Sequence, residues 1–230
     1  MGEGARDWAQ RVNRLAIFDC DGTLVDSQAN ICAAMEDCFA RAGRPAPPRE
    51  QTRRVVGLSL VEAMREMLPR EDSEVHVVMA EEYKQAFHRL RAGGTVDEPL
   101  YEGVAALIEE LAKDGWLMGV ATGKSDRGLG ICLDHHGLRE RFVTLQTADR
   151  HPSKPHPSMI EQAMADAGAS PETTIMIGDT SYDMAMARAA GVTAVGVAWG
   201  YHSAADLRAA GAQHIAEHPL DILPLAKAMA

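Results

Sequence analysis

The sequence predicts an α/β fold, a doubly wound parallel sheet interrupted by an inserted helical cap, and three observations carry that expectation. A short apolar run, Leu15-Ala16-Ile17-Phe18, stops at Asp19-Cys20-Asp21-Gly22, as a buried strand stops at a turn signal. From Asp26 to about Thr95 the texture is helical, with no convincing strand. After Glu98 helices alternate with Val- and Ile-rich runs, the pattern of a parallel sheet covered by helices on both faces.

In the helical block, Ala29 to Ala42 carries Ile31, Met35, Cys38 and Phe39 at three- and four-residue steps, closing at Gly43 before Pro45, Pro47 and Pro48. Leu60 to Leu68 repeats the pattern and ends at Pro69, and Val75 to Leu90 runs on to Gly93-Gly94. The alternating part reads as helix Glu102–Lys113, strand Trp116–Ala121, helix Asp126–His136 and strand Phe142–Leu145. It continues with helix Ser158–Ala167, strand Thr174–Ile177, helix Tyr182–Ala190 and strand Ala194–Val197, with weaker elements beyond Ser203. The expected division is a core of residues 1–26 and 96–230 with a cap at 27–95, and no repeat or low-complexity tract suggests a solenoid or tail.

Composition excludes several classes. With 230 residues, 46% apolar and 24% charged, the chain can bury a sizeable soluble core. A formal charge of −10 argues against an electrostatic surface for nucleic acid or anionic membrane, though not against an anionic substrate in a cleft holding a cation. No run approaches a membrane span, and Met1 to Arg14 shows no apolar signal segment. The four cysteines, at 20, 32, 38 and 132, form no C-x-x-C pair and read as reduced thiols, so the expected location is cytoplasmic.

Chemistry collects where strands end, which is where open α/β sheets bind ligands. Asp19 and Asp21 are costly so close to a core, and a divalent cation with a phosphoryl group would offset that cost. Val120-Ala121 leads into Thr122-Gly123, a hydroxyl and a close-approach glycine at a helix start, where anions are favoured. Ser153-Lys154-Pro155-His156-Pro157 is a turn stiffened by two prolines that fixes one ammonium group. Ile175-Met176-Ile177-Gly178 runs into Asp179 and Asp183, four apart at a helix start and able to share a face. Each has a plainer explanation alone: a helix cap, an ordinary turn, a surface lysine. Their coincidence on four successive strand ends points to one site.

Asp-x-Asp-Gly-Thr, Thr-Gly, Lys-Pro-x-Pro and Gly-Asp-x-x-x-Asp, in that order from about Leu15 to Val197, resemble the motifs of the haloacid dehalogenase superfamily of phosphohydrolases. The helical block after the first motif resembles the helical-cap (C1) subfamily. Asp26-Ser27 and Val55-Val56-Gly57-Leu58-Ser59 resemble its phosphoglycolate-phosphatase-like branch. The resemblance implies a Rossmann-like core and Mg²⁺-dependent hydrolysis of a small-molecule phosphate monoester. It makes Asp19 the nucleophile and Asp21 the general acid and base, which needs a raised pKa there. It gives Mg²⁺ to the Asp19 carboxylate, the Asp21 carbonyl and Asp179, in an oxygen set that suits Mg²⁺ or Mn²⁺. Thr122, Gly123 and Lys154 would bind the phosphoryl group, and Asp183 would orient Lys154.

Asp21 disfavours dehalogenase and phosphonate-cleaving relatives, which lack that carboxylate, and Thr23 tilts away from sugar phosphomutases. A phosphomutase or other phosphoryl transferase, and a non-catalytic phosphate-binding or regulatory protein, are the alternatives. Substrate choice is expected in the cap, with Arg54, Gly57 and Ser59 as candidates beside Arg53 and Arg65. An arginine there could hold a substrate carboxylate, as phosphoglycolate would require, although solvated helix charges are the plainer account. The adjacent His135 and His136 make a poor metal pair, His151 and His156 read as loop residues, and the twelve methionines read as core filler. Cys20, between two carboxylates, is expected to be an inert thiol. Trp8 and Arg11 to Arg14 are expected against the core edge.

Overall fold

The computed structural model describes residues 13–228; Trp8 and Arg11 lie outside them. Arg14 does reach the core edge, its guanidinium 5.1 Å from the centre of the Trp116 ring. The chain begins with β1 (Asn13–Phe18) and then makes four helices, α1 (Gln28–Arg41), α2 (Arg49–Arg54), α3 (Leu60–Met67) and α4 (Ser73–Ala92). Alternation follows through α5 (Val104–Lys113), β2 (Leu117–Thr122), α6 (Asp126–His135), β3 (Thr144–Thr147), α7 (Ser158–Ala167) and β4 (Ala169–Gly178). It closes with α8 (Ser181–Ala190), β5 (Thr193–Val197), α9 (Ala204–Ala210), β6 (His214–Ala216) and α10 (Ile222–Ala228).

The strands form one six-stranded sheet in the order β3-β2-β1-β4-β5-β6, every pair parallel. β1 is central because its apolar run serves both faces. Ala16 and Phe18 point into a core with Leu107 and Leu111 of α5, Leu129 and Leu133 of α6, and Ile222. Leu15 and Ile17 point the other way, against Met159 and Ile160 of α7, Met184 of α8 and Leu207 of α9. Period-two alternation thus splits one strand between two cores, each large side chain contributing roughly 1.5–3 kcal/mol on burial. The expected doubly wound parallel architecture is the one observed.

The four helices between β1 and α5 have a hydrophobic cluster of their own, with Met35, Cys38 and Phe39 of α1, Met64 and Met67 of α3, and Met79 and Tyr83 of α4. The chain leaves and returns along paired connections: the Asp26 N–H donates to the Pro99 carbonyl at 2.8 Å and the Tyr101 N–H to the Leu24 carbonyl at 3.1 Å.

Sequence periodicity missed one helix and misplaced the starts of two strands, β3 and β4, the latter beginning at Ala169 rather than Thr174. α2 is polar and follows Pro48, so no apolar stripe announced it. β3 starts at Thr144 rather than Phe142, whose ring instead meets Phe18 edge-on at 6.3 Å. The strand residue Gln146 is buried yet polar, its amide donating to Thr144 Oγ1 at 2.6 Å and Asp166 Oδ2 at 2.8 Å. A hydrogen-bonded polar strand leaves no hydrophobic signal in its sequence.

Candidate active site

Because β2, β1 and β4 are neighbours, the residues that follow their carboxyl ends converge. Asp19 follows β1 directly, its N–H donating to the Ile177 carbonyl at 2.9 Å, so its position is set by the sheet. The side chain is buried. Oδ1 accepts from the Cys20 N–H at 2.6 Å and lies 3.0 Å from the Lys154 ammonium, whereas Oδ2 has no hydrogen-bond partner among the described residues. Burial pushes the Asp19 carboxyl up to about 7 against the opposing pull of Lys154, with Asp183 and Asp21 adding to the rise.

Lys154 is itself buried and bridges two carboxylates, Asp19 at 3.0 Å and Asp183 at 2.7 Å. Burial alone would lower an ammonium pKa; the two carboxylates outweigh it and hold Lys154 above the ordinary lysine range. Asp183 is fully committed: Oδ1 takes Lys154, and Oδ2 takes the Thr180 hydroxyl at 2.7 Å and the Thr180 N–H at 3.1 Å in a capping box that opens α8. Asp183 therefore both caps α8 and accepts from Lys154.

Asp179 accepts from Thr23 Oγ1 at 3.1 Å and from the Tyr201 N–H at 2.9 Å, and burial followed by the Asp19 charge raises its carboxyl well above the usual range. Two glycines make room for it. A Cβ on Gly22, whose φ is +82°, would lie 2.2 Å from Asp179 Oδ2, and one on Gly200 would lie 2.1 Å from its Cβ.

Oxygens of Asp19, Asp179 and Asp183 come within 4.8 Å of one another. With both Asp183 oxygens engaged by Lys154 and Thr180, Asp19 Oδ2 is left without a partner, and Asp179 accepts only from neutral donors, Thr23 and the Tyr201 N–H. A buried carboxylate oxygen without a partner, beside a second carboxylate that burial disfavours, is the chemistry a hard divalent cation suits. The residues present fit the expected ion, and the Asp21 side chain lies outside this acidic cluster.

Asp21 belongs to a second network. Its Oδ1 accepts from the Ser27 hydroxyl and lies 2.8 Å from the Lys124 ammonium. Lys124 also meets Glu98 at 2.8 Å, and Glu98 takes Arg91 at 3.0 Å. Ser27 was noted only as a family marker, and Lys124 and Glu98 were missed as members of the site. One signal was legible, since Lys124 directly follows the Thr122-Gly123 strand end. The Glu98 pairing is a long-range contact with no local sequence mark.

Asp19, Asp21, Thr122, Gly123 and Gly57 all line one cavity of about 320 Å³, and Lys154, Asp179 and Asp183 join it through Asp19. The Thr122 hydroxyl accepts the Lys124 N–H at 3.2 Å. A Cβ on Gly123 would lie 2.6 Å from the Leu58 carbonyl, so this strand end touches the segment between α2 and α3. The Ser59 N–H donates to Ser153 Oγ at 2.8 Å, beside the Lys154 turn. Arg54 is not brought to the cavity: its exposed guanidinium pairs with Glu50 at 3.1 Å, while its carbonyl accepts from Tyr182 at 3.2 Å. Arg65 likewise pairs outside, with Glu62, and Arg53 lines a separate surface cleft. For Arg54 and Arg65 the plainer account, solvated helix charges, is what the structure shows.

The discounted residues behave structurally. His136 is hydrogen-bonded to the Glu98 carbonyl at 2.8 Å, and His151 bridges Ser158 and Gln146. Cys20 is held as a thiol chiefly by its contact with Cys132 at 3.9 Å and by burial; the carboxylate neighbour contributes least. No helix among the described residues is long and apolar enough to cross a membrane.

Comparison with known proteins agrees with this geometry. The family model described as haloacid dehalogenase-like hydrolase matches residues 16–197, and the chain belongs to that family. It is 36% identical over 222 residues to "Probable phosphatase IndB" of Dickeya dadantii, covering 94% of both chains. It is 30% identical to "Phosphoglycolate phosphatase 1" of Pseudomonas aeruginosa, covering 95% of this chain and 82% of that one. A solved hydrolase from Pseudomonas syringae superposes with a TM-score of 0.83 at 27% identity, over 95% of this chain and 100% of that one. The family expected from the four motifs is the family found, and the expected enzyme class, a phosphatase of that family, is the class named for these two curated relatives.

Proposed function

We propose that the chain hydrolyses a small-molecule phosphate monoester in two steps through an aspartyl-phosphate on Asp19. The observation that carries this is the buried set around Asp19: Lys154 on one oxygen, the other oxygen without a partner, and oxygens of Asp19 and Asp179 within 4.8 Å of each other. In the first step the Asp19 carboxylate attacks phosphorus and the P–O bond to the alcohol breaks, the leaving oxygen taking a proton from Asp21. In the second, Asp21 takes a proton from water, whose oxygen attacks phosphorus, releasing inorganic phosphate and restoring Asp19. Ser27 and Lys124 hold Asp21 in place from Oδ1. Lys154, fixed by Asp183, neutralises the nucleophile and the phosphoryl oxygens, and Thr122 with the Gly123 N–H binds those oxygens. Asp19, Asp179 and the Asp21 carbonyl would hold Mg²⁺, which would add to the neutralisation of phosphoryl charge when bound.

Residues 27–95 act in this proposal as a cap over the site. Its support is the seating of Leu58 on Gly123, Ser59 on Ser153 and the Arg54 carbonyl on Tyr182. Thr23, which tilted the sequence away from a mutase, donates to Asp179 and so serves the core of the site. The expected setting is the cytoplasm.

Phosphate release from a panel of phosphoglycolate, hexose phosphates, nucleotides and pyrophosphate, with Mg²⁺ and with chelator, tests the reading. Release is expected only with the metal, and Asp19→Asn is expected to abolish it without lowering the unfolding temperature. Turnover persisting in that variant would remove Asp19 as nucleophile.

A further inference from the structure

The cavity is larger than phosphoryl chemistry requires, and its excess is apolar. At about 320 Å³ it reaches the range of roughly 300–1,000 Å³ typical of pockets for drug-sized ligands. Beyond the catalytic residues its walls are made by Ile31, Met35, Leu58, Tyr83, Phe87 and Ile131. The Tyr83 and Phe87 rings are 6.2 Å apart and tilted by 42°, so α4 lays an aromatic surface against it.

The cations nearest the reacting groups are already paired. Lys124 lies between Asp21 and Glu98, Arg91 is on Glu98, and Lys154 lies between Asp19 and Asp183. Lys84, His88 and Arg127, which also line the cavity, are exposed, where solvent and salt weaken their pull. A small acid carried inside would lose the water around its carboxylate, find no unpaired buried cation among the described residues, and leave the apolar walls wet. An apolar body would remove those walls from water.

We propose that the preferred substrate is a phosphate monoester of a bulky, largely apolar alcohol, such as one bearing an aryl ring, rather than of a small acid. This rests on the monoester-hydrolase reading above and goes beyond it to the leaving group. A hydrophobic pocket discriminates by about 10–200-fold for a single methylene, so a whole ring against a carboxylate is expected to give at least about tenfold.

Benzylphosphonate and phosphonoacetate carry the two kinds of organic part and have no ester bond to cleave. Both are titrated calorimetrically into the full chain with Mg²⁺, and benzyl phosphate and phosphoglycolate are compared as substrates. Benzylphosphonate is expected to bind at least about tenfold more tightly. Ile131→Lys, which places an unpaired ammonium against the apolar wall from α6, is expected to shift the ratio toward phosphonoacetate. Equal or tighter binding of phosphonoacetate by the unaltered chain, or no binding of benzylphosphonate, overturns the proposal. If the binding preference is as expected but neither ester releases phosphate, the hydrolase reading fails while the recognition stands.

Discussion

Asp19 carries one oxygen on Lys154 and one with no partner, and burial pushes its carboxyl to about 7. An unfolded aspartate titrates at about 3.9. Between about pH 4 and pH 7 the folded, cation-free chain therefore binds a proton that the unfolded chain has released, and its stability falls as pH rises through that window. Asp179, raised by the same burial, acts in the same direction. With Mg²⁺ in the proton's place this slope is expected to flatten, which thermal unfolding at a series of pH values with and without the metal measures. An identical slope in both series would put the ion elsewhere. Lys124 is the other single residue with a large expected effect. Lys124→Met leaves Asp21 without its cation while Glu98 keeps Arg91, and breaking a buried pair by removing one partner costs about 3–5 kcal/mol. Urea unfolding reads that loss, and phosphate release is expected to fall at least about tenfold as Asp21 loses its support.

At the scale of elements, the site exists because three strand ends are adjacent and each is followed by a turn shaped for it. Gly22 illustrates the constraint: its positive φ and the 2.2 Å approach to Asp179 leave no room for a side chain. Gly22→Ala combines a left-handed backbone cost of roughly 1–2 kcal/mol with displacement of the Asp179 carboxylate. The expected result is a folded but less stable chain with weakened Mg²⁺ affinity, read by calorimetric titration of the metal. Unchanged affinity would mean that Asp179 is not a ligand. α8 shows a similar economy, since the Thr180–Asp183 capping box that starts the helix also fixes the acceptor for Lys154.

For the whole molecule, the proposed cation site would link metal binding to folding. An ion that binds the assembled carboxylates and not the unfolded chain stabilises by about 2.7 kcal/mol at one hundred times its Kd. Mg²⁺ is expected to raise the unfolding temperature and chelator to reverse it, with the effect lost in Asp179→Asn. The same long-range assembly sets how much of the protein was legible beforehand. β1, the helical insertion and the alternation after Glu98 were readable because periodicity is a local property of the chain. α2 and the start of β3 were not, because a polar helix and a hydrogen-bonded polar strand carry no hydrophobic period.

The sequence by itself determined the architecture, the family and the residues that meet at the strand ends, since each lies in a short motif beside an apolar run. Only the tertiary structure decided how those residues are paired and what surrounds them. Lys124 meeting Glu98, Asp19 keeping one oxygen unpartnered, and Arg54 turning outward to Glu50 all depend on contacts between distant segments. The physical reason is that pairing and desolvation are set by packing across the fold, and no local pattern encodes which charge a buried charge will meet.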